Sequence, residues 1–273
     1  MNYGVDVVTL GDYADPRLVV KLAQAAEAAG WQGLFVWDHL AFAWGVPSGD
    51  PWVILAAVAQ ATKHLKIGTA VTPVPRRRPQ VLANAIATLD LLSEGRVIFG
   101  AGLGGVSQEY SAFGEEDEAV HRARQLDEGL EILDRLWTGE KVAHRGVWYT
   151  VNDVTLAPLP LQLPRVPVWI GGDSRPALRR AARWDGWVTG GDDEECRMVK
   201  TPEQVVEKVA YINQHRSVSQ SFDVALTGCS QPSDGCLTRD FAAAGVTWWL
   251  ESLHGSRGPF DELITRVMAG PAV

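Results

Sequence analysis

Eight short runs of apolar and β-branched residues recur along this chain, and their spacing leaves few architectures open to it. They read YGVDVVTL at 3 to 10, GLFVW at 33 to 37, LKIGTAV at 65 to 71, RVIFGAG at 96 to 102, VPVWIGG at 166 to 172, GWVTGG at 186 to 191, DVALTG at 223 to 228 and VTWWLE at 246 to 251. Each has the length and residue types of a buried strand. Helix-like stretches separate them, and three open with a capping residue before proline: Asp15-Pro16, Asp50-Pro51 and Thr201-Pro202. Gly30 closes the first of these as a C-terminal cap. One strand plus one helix takes about 30 residues, the size of a βα unit. Eight units without a linker or a shift in composition predict an α/β fold: a single domain over 1–273, closed as a (β/α)8 TIM barrel rather than opened as a doubly wound sheet. One interval breaks the rhythm. After the fourth strand, 103–165 holds an insertion with a periodic helix (Ala119, Ala123, Leu126, Leu130, Leu133, Trp137) and a hairpin-like EKVAHRGVWYTV.

Composition narrows the partners. The formal net charge is -8, so nucleic acid and anionic membranes are not expected, because both need a basic surface. A small-molecule substrate is. The amino terminus has no basic leader and no stretch of eighteen apolar residues occurs, which points to the cytoplasm. Cys196, Cys229 and Cys236 show no Cys-x-x-Cys pairing, which suggests reduced thiols rather than a disulfide framework. The six histidines are scattered and no zinc signature appears, so no metal site is expected.

In a barrel, residues that follow the strands face one shared pocket. That groups Asp38-His39 after the second strand, Thr72 after the third, Gly102 after the fourth, Gly171-Gly172 after the fifth and Thr189-Gly190 after the sixth. GAGLGG at 100 to 105 matches G-x-G-x-x-G but neither follows the first strand nor opens a long helix. It reads as a glycine-rich loop where a flat ligand can approach backbone, not as a dinucleotide fingerprint. Gly171, Gly172 and Ser174 are the best phosphate candidates, since Ser174 can start the helix RPALRRAARW, and Thr189 and Gly190 are the next.

GLFVWDH, T-x-x-x-R-x-x-P from Thr72, ATLDLLSEGRVIFGAG, EYSAFG, LDEGLEILDRLWTGE and PVWIGGDSRPALRRAARWDGW together resemble the luciferase-like flavin-dependent oxidoreductases, many of which use coenzyme F420 in place of FMN. The resemblance runs nearly end to end. It implies a barrel with an insertion, a cofactor ring across the C-terminal mouth, and a non-prolyl cis peptide near Ala70-Val71 under that ring. It also implies a proton-accepting role for His39, as in the family's deazaflavin alcohol dehydrogenases, where an imidazole with a pKa of about 6.5 suits the task. Plain cofactor positioning is the competing role for His39. Asp38 is expected to contact the ring or His39, with turn capping as the alternative. Trp44 and Phe42 either wall the pocket or pack the loop. Of Arg76, Arg77 and Arg78, one is expected to meet an anionic cofactor tail or substrate and the others to be solvated.

Two departures qualify the resemblance. Where the family's sugar-phosphate dehydrogenases place an acidic glutamate after the fourth strand, the alignment gives Gly105, with Glu109 a turn later. Where they carry a basic residue after the sixth strand, this chain has DDEE at 192 to 195, which would repel an anionic substrate. The expected function is oxidoreduction with F420, or with FMN as alternative. An FMN-dependent monooxygenase and a non-catalytic flavin-binding or subunit-pairing relative are the other readings. Association as a homodimer is left open.

Overall fold

The computed structural model describes residues 1–40, 42, 45–193, 195–217 and 221–273. Its strands are β1 (Asn2–Val7), β2 (Gly33–Val36), β3 (Lys66–Thr69), β4 (Thr72–Pro73), β5 (Val97–Gly102), β6 (Val142–Arg145), β7 (Thr150–Val154), β8 (Val168–Gly171), β9 (Gly186–Gly190), β10 (Asp223–Gly228) and β11 (Trp248–Leu253). Its helices are α1 (Pro16–Ala28), α2 (Pro51–Ala61), α3 (Pro79–Leu92), α4 (Gln108–Ser111), α5 (Ala119–Leu136), α6 (Arg175–Ala181), α7 (Pro202–His215), α8 (Gly235–Ala243) and α9 (Phe260–Met268).

Parallel pairing runs β1, β2, β3, β5, β8, β9, β10, β11 and returns from β11 to β1, so the ring closes as expected from the eight runs. The reason these segments form strands is visible in their burial. β5 and β11 are buried at every residue, because helices cover their outer faces and side chains from across the barrel cover their inner faces. The period of two sorts β1 accordingly: Val5 and Val7 join the layer under the helices, while Asp6 points into the barrel. Phe35, Trp169 and Trp248 fill the interior below the mouth, with Phe35 and Trp169 stacked 5.1 Å apart and Trp169 edge-on to Trp248 at 5.6 Å.

The helix starts are built as the capping residues predict. Asp15 accepts from the Arg17 amide, Asp50 from those of Trp52 and Val53, and Thr201 forms a full capping box with Gln204. Gly30 takes φ +86° just past α1. α5 buries Leu126, Leu130 and Leu133 as its spacing indicates. It occupies the place of the barrel's fourth helix: Trp137 Nε1 donates to Ala83 O in α3 at 3.1 Å, and Asp127 takes Arg180 of α6 at 2.8 Å. The excursion beyond a plain βα unit is therefore the α4 segment before α5 and the β6–β7 hairpin after it. No helix among the described residues is long and apolar enough to cross a membrane.

The expectation of reduced thiols does not hold for two of the three cysteines. Cys196 and Cys229 are joined as a disulfide, with their Cα atoms 5.4 Å apart, and Cys236 is unpaired and exposed. Thirty-three residues separate the pair along the chain. Their proximity comes from the adjacency of β9 and β10, which linear spacing does not report.

Candidate functional site

A cavity of about 390 Å³ opens at the C-terminal ends of the strands, in the size range of small-molecule sites. β2 contributes Asp38 and His39 to its wall, and the segment after β3 contributes Ala70 and Val71. Gly102 and Gly105 come from the end of β5, Gly171, Gly172 and Ser174 from β8, and Thr189 and Gly190 from β9. Thr72 is buried just behind this wall and not on it, with its hydroxyl unpartnered. Trp44 lies outside the described residues; Phe42 is exposed and meets Phe113 edge-on at 5.5 Å, away from the cavity wall.

The Ala70-Val71 peptide is cis, where the resemblance placed it. Around Val71 two strands, β5 and β8, leave out side chains. A Cβ on Gly102 would stand 2.5 Å from Val71 Cγ2, and one on Gly171 would stand 3.0 Å from Val71 Cγ1. These glycines therefore make room for Val71, which projects toward the cavity, and not directly for a ligand. Gly102→Ala should cost about 1–3 kcal/mol by overpacking, measured as a lower denaturant midpoint at unchanged slope; an unaltered midpoint would show that Val71 can step aside freely.

One ionic network holds the Asp38-His39 corner. The Arg77 guanidinium is bidentate to the Asp38 carboxylate, with both contacts at 2.9 Å, and Arg76 Nη2 donates to Asp38 Oδ1 at 2.7 Å and to its carbonyl at 2.8 Å. The other Arg76 nitrogen grips Glu109 Oε2. Glu109 Oε1 accepts from the Leu40 amide at 2.6 Å and lies 3.0 Å from His39 Nδ1. Glu109 is fully buried, and its partner Arg76 and the Asp38 carboxylate that Arg76 also holds are nearly so. Burial alone would raise the Glu109 pKa, but His39, Arg76 and the Leu40 amide outweigh it and hold the carboxyl below the ordinary glutamate range. A proton on Nδ1 is the one from which the ionised Glu109 can accept a hydrogen bond, and in that tautomer Nε2 is the ring's acceptor nitrogen.

This arrangement revises three sequence expectations. Asp38 neither caps a turn nor spends its carboxylate on His39, because Arg76 and Arg77 take it. Arg76 is nearly buried and Arg77 partly so, and both bind the Asp38 carboxylate instead of being left to solvent. The one-turn displacement of Glu109 from Gly105 does not remove a carboxylate from the site, because α4 carries Glu109 back to His39.

The opposite wall was less legible. Ser174 does cap α6, accepting from Ala177 N at 3.4 Å. Pro176 has no N–H, so the Arg175 amide is the one left in the first turn, and the helix ends at Ala181 rather than Trp184. Gly172 sits at φ +113°, a conformation that needs glycine whatever binds nearby. Asp173, which sequence reasoning passed over, binds Lys200 at 2.9 Å, Lys208 at 3.1 Å and Thr189 Oγ1 at 2.9 Å. Burial would raise its pKa, but the two lysines and Thr189 hold it low. The acidic run after β9 is partly neutralised as well, since Arg197 pairs with Asp193 at 2.7 Å and with Glu195 at 2.9 Å.

Asp6 is the other missed residue. It is buried beneath the cavity, with Oδ2 accepting from Trp37 Nε1 at 2.9 Å and Oδ1 without a partner. Burial pushes it up to about 8, against the Trp37 hydrogen bond and with a contribution from Asp192. At neutral pH it presents a carboxylic acid to the cavity. An acidic residue at an inward position of GVDVV was the available signal.

The profile of the luciferase-like monooxygenases matches residues 4–210. The chain belongs to this family. An F420-dependent glucose-6-phosphate dehydrogenase of Microbacterium testaceum is 36% identical over 188 residues, which is 66% of this chain and 54% of that protein. The chain thus spans about half the length of the curated relatives it matches. An F420-dependent secondary alcohol dehydrogenase, solved with an F420-acetone adduct, superposes with a TM-score of 0.79 at 19% identity over 99% of both chains. A monooxygenase from Streptomyces bottropensis gives 0.78 at 22% identity, covering 98% of this chain and 96% of the other. At these identities, the two solved structures show that the luciferase-like barrel is shared over essentially the whole chain.

Proposed function

We propose that the chain is an F420-dependent oxidoreductase that interconverts a small alcohol and its carbonyl compound, with FMN as the alternative cofactor. The His39–Glu109 pair carries this reading. Alcohol oxidation must dispose of a hydroxyl proton, and His39 stands on the cavity wall with Nδ1 held by an ionised carboxylate and Nε2 as its acceptor. His39 is then the catalytic base and Glu109 its positioning residue, fixing the tautomer and stabilising the imidazolium once the proton arrives. F420 supplies a hydride-accepting ring in its oxidised form and a donor in its reduced form.

The residues present fit such a group. The cavity is large enough for a ring system, Val71 gives it an apolar support, and the unpartnered Asp6 oxygen offers a buried polar contact. Gly105, Gly172 and Ser174 are assigned to cofactor contact, with Thr189 and Gly190 on the same wall as the next candidates. A neutral alcohol suits this mouth better than a sugar phosphate, because Lys200 and Lys208 already serve Asp173.

Titration with F420 and with FMN, followed by tryptophan fluorescence, should show tighter binding of F420. His39→Ala should then lower alcohol turnover roughly 10²-fold or more with nearly unchanged cofactor affinity. If turnover and affinity fall together, His39 positions the cofactor; if neither cofactor binds, the reading fails.

A further inference from the structure

We propose that, in its dithiol form, the chain binds one zinc-class divalent ion through Asp192, Cys196, Cys229 and His254 at the rim of the barrel. Each residue offers one ligand atom, and all four atoms lie within 4.8 Å of one another. Three neighbouring strands deliver them. Asp192 stands two residues beyond β9, Cys229 immediately follows β10 and His254 immediately follows β11. Cys196 is turned back toward the barrel by a tight loop, in which its amide donates to Asp193 O at 3.0 Å and Asp192 bridges to Met198.

The donor set is specific. Two thiolates, an imidazole and a carboxylate are the ligands of tetrahedral zinc, with bonds of about 2.0–2.3 Å and hence ligand-to-ligand edges of roughly 3.3–3.8 Å. Two edges already have about that length: Cys196 Sγ to His254 Nε2 is 3.4 Å, and Cys229 Sγ to Asp192 Oδ2 is 3.2 Å. The ligands are also oriented from behind. Ser256 Oγ lies 3.2 Å from His254 Nδ1, which aims Nε2 at the cluster, and Thr227 Oγ1 lies 3.4 Å from Asp192 Oδ1, which leaves Oδ2 toward it. Reduction frees the two sulfurs to move apart, and the remaining edges, none longer than 4.8 Å, then need only close by about an ångström.

The chemistry balances with a small thiol as reductant. Exchange with two thiol equivalents gives the Cys196 and Cys229 thiols plus the oxidised small disulfide. Metal entry then displaces both thiol protons, leaving two thiolates, one carboxylate and a dication with a net charge of -1. Four protein ligands fill a tetrahedral ion, so the site is structural, with no position left for substrate. Its consequence is positional. The disulfide bonds the 191–200 loop covalently to the end of β10, whereas the metal would also bond it to His254 at the end of β11. That loop ends in Lys200, whose ammonium holds Asp173 and Thr189 at the cavity wall.

The test uses the full chain, reduced with a phosphine under anaerobic conditions and freed of metal. Zn²⁺ competed against a chromogenic chelator should bind at one equivalent and raise the melting temperature. Co²⁺ should give the intense visible bands of a tetrahedral ion, with a thiolate charge-transfer band in the near ultraviolet. Cys229→Ser and His254→Ala should each weaken Zn²⁺ binding at least about 100-fold, while Cys236→Ser should leave it unchanged. Binding no tighter than in the Cys196→Ser/Cys229→Ser double variant, a cobalt spectrum lacking the thiolate band, or a thiol count in the folded reduced chain that stays at Cys236 alone would each overturn the proposal and leave a disulfide only.

Discussion

Glu109→Ala is expected to destabilise the protein by roughly 3–5 kcal/mol, the cost of breaking a buried ion pair by deleting one partner. Arg76 is almost wholly buried, and Glu109 and Asp38 are the carboxylates that balance it. With Glu109 gone, Asp38, already shared with Arg77, would be the one carboxylate left on Arg76, and the Leu40 amide would lose its acceptor. Glu109→Gln keeps the shape and an acceptor oxygen, so its loss should be smaller. The pH profile separates charge from shape. Because the folded pKa of Glu109 is depressed, its contribution is present above the ordinary glutamate range and is lost as pH falls through the folded value. Wild type should therefore lose stability on acidification more steeply than Glu109→Gln, as measured by urea midpoints between neutral pH and pH 3. Parallel profiles would mean that the carboxylate charge contributes nothing.

Asp6→Asn should act in the opposite direction and over a different window. The Asp6 pKa rises from 3.8 in the unfolded chain to about 8 in the fold. Between those values the folded state holds a proton that the unfolded state has released, so wild-type stability falls by about 1.4 kcal/mol for each pH unit attributable to this residue. The stability is fully present below pH 3.8 and is lost by the time pH exceeds 8. Asparagine cannot ionise, keeps an acceptor for Trp37, and should be more stable than wild type by several kcal/mol at pH 8 and about equal at pH 4. A variant no more stable than wild type at pH 8 would show that water or a neighbouring cation relieves the buried charge.

The barrel was legible because pattern reports burial: a run such as VIFGAG, too short and too glycine-rich for a core helix, is buried throughout as a strand covered on both faces. His39 was legible because a polar pair stops an apolar strand at the mouth, and the cis peptide through the resemblance alone. Asp38 was seen but its role was not, since the arginines that take its carboxylate lie 38 and 39 residues away in sequence. The Asp173–Lys200 pair and the Cys196–Cys229 pair were hidden for the same reason. Which loop end lies beside which is decided by the order of strands around the ring, and that order must be known before such partners can be matched. Ser174 was read correctly as the cap of α6, while Pro176, visible in the sequence directly after Arg175, leaves the first turn one amide short.

The Arg76 knot also limits how this mouth could be re-engineered. Loops after barrel strands are usually exchangeable parts, which can be lifted from one scaffold to another to change what is bound. Here the loops after β2, β4 and β5 are soldered together through Asp38, Arg76, Arg77 and Glu109. A graft that carried the Asp38-His39 loop alone would bring an acidic residue without its guanidinium partners and leave the donor's histidine unoriented. The transferable unit is therefore a discontinuous set of three segments, and chimeras should succeed or fail according to whether all three travel together.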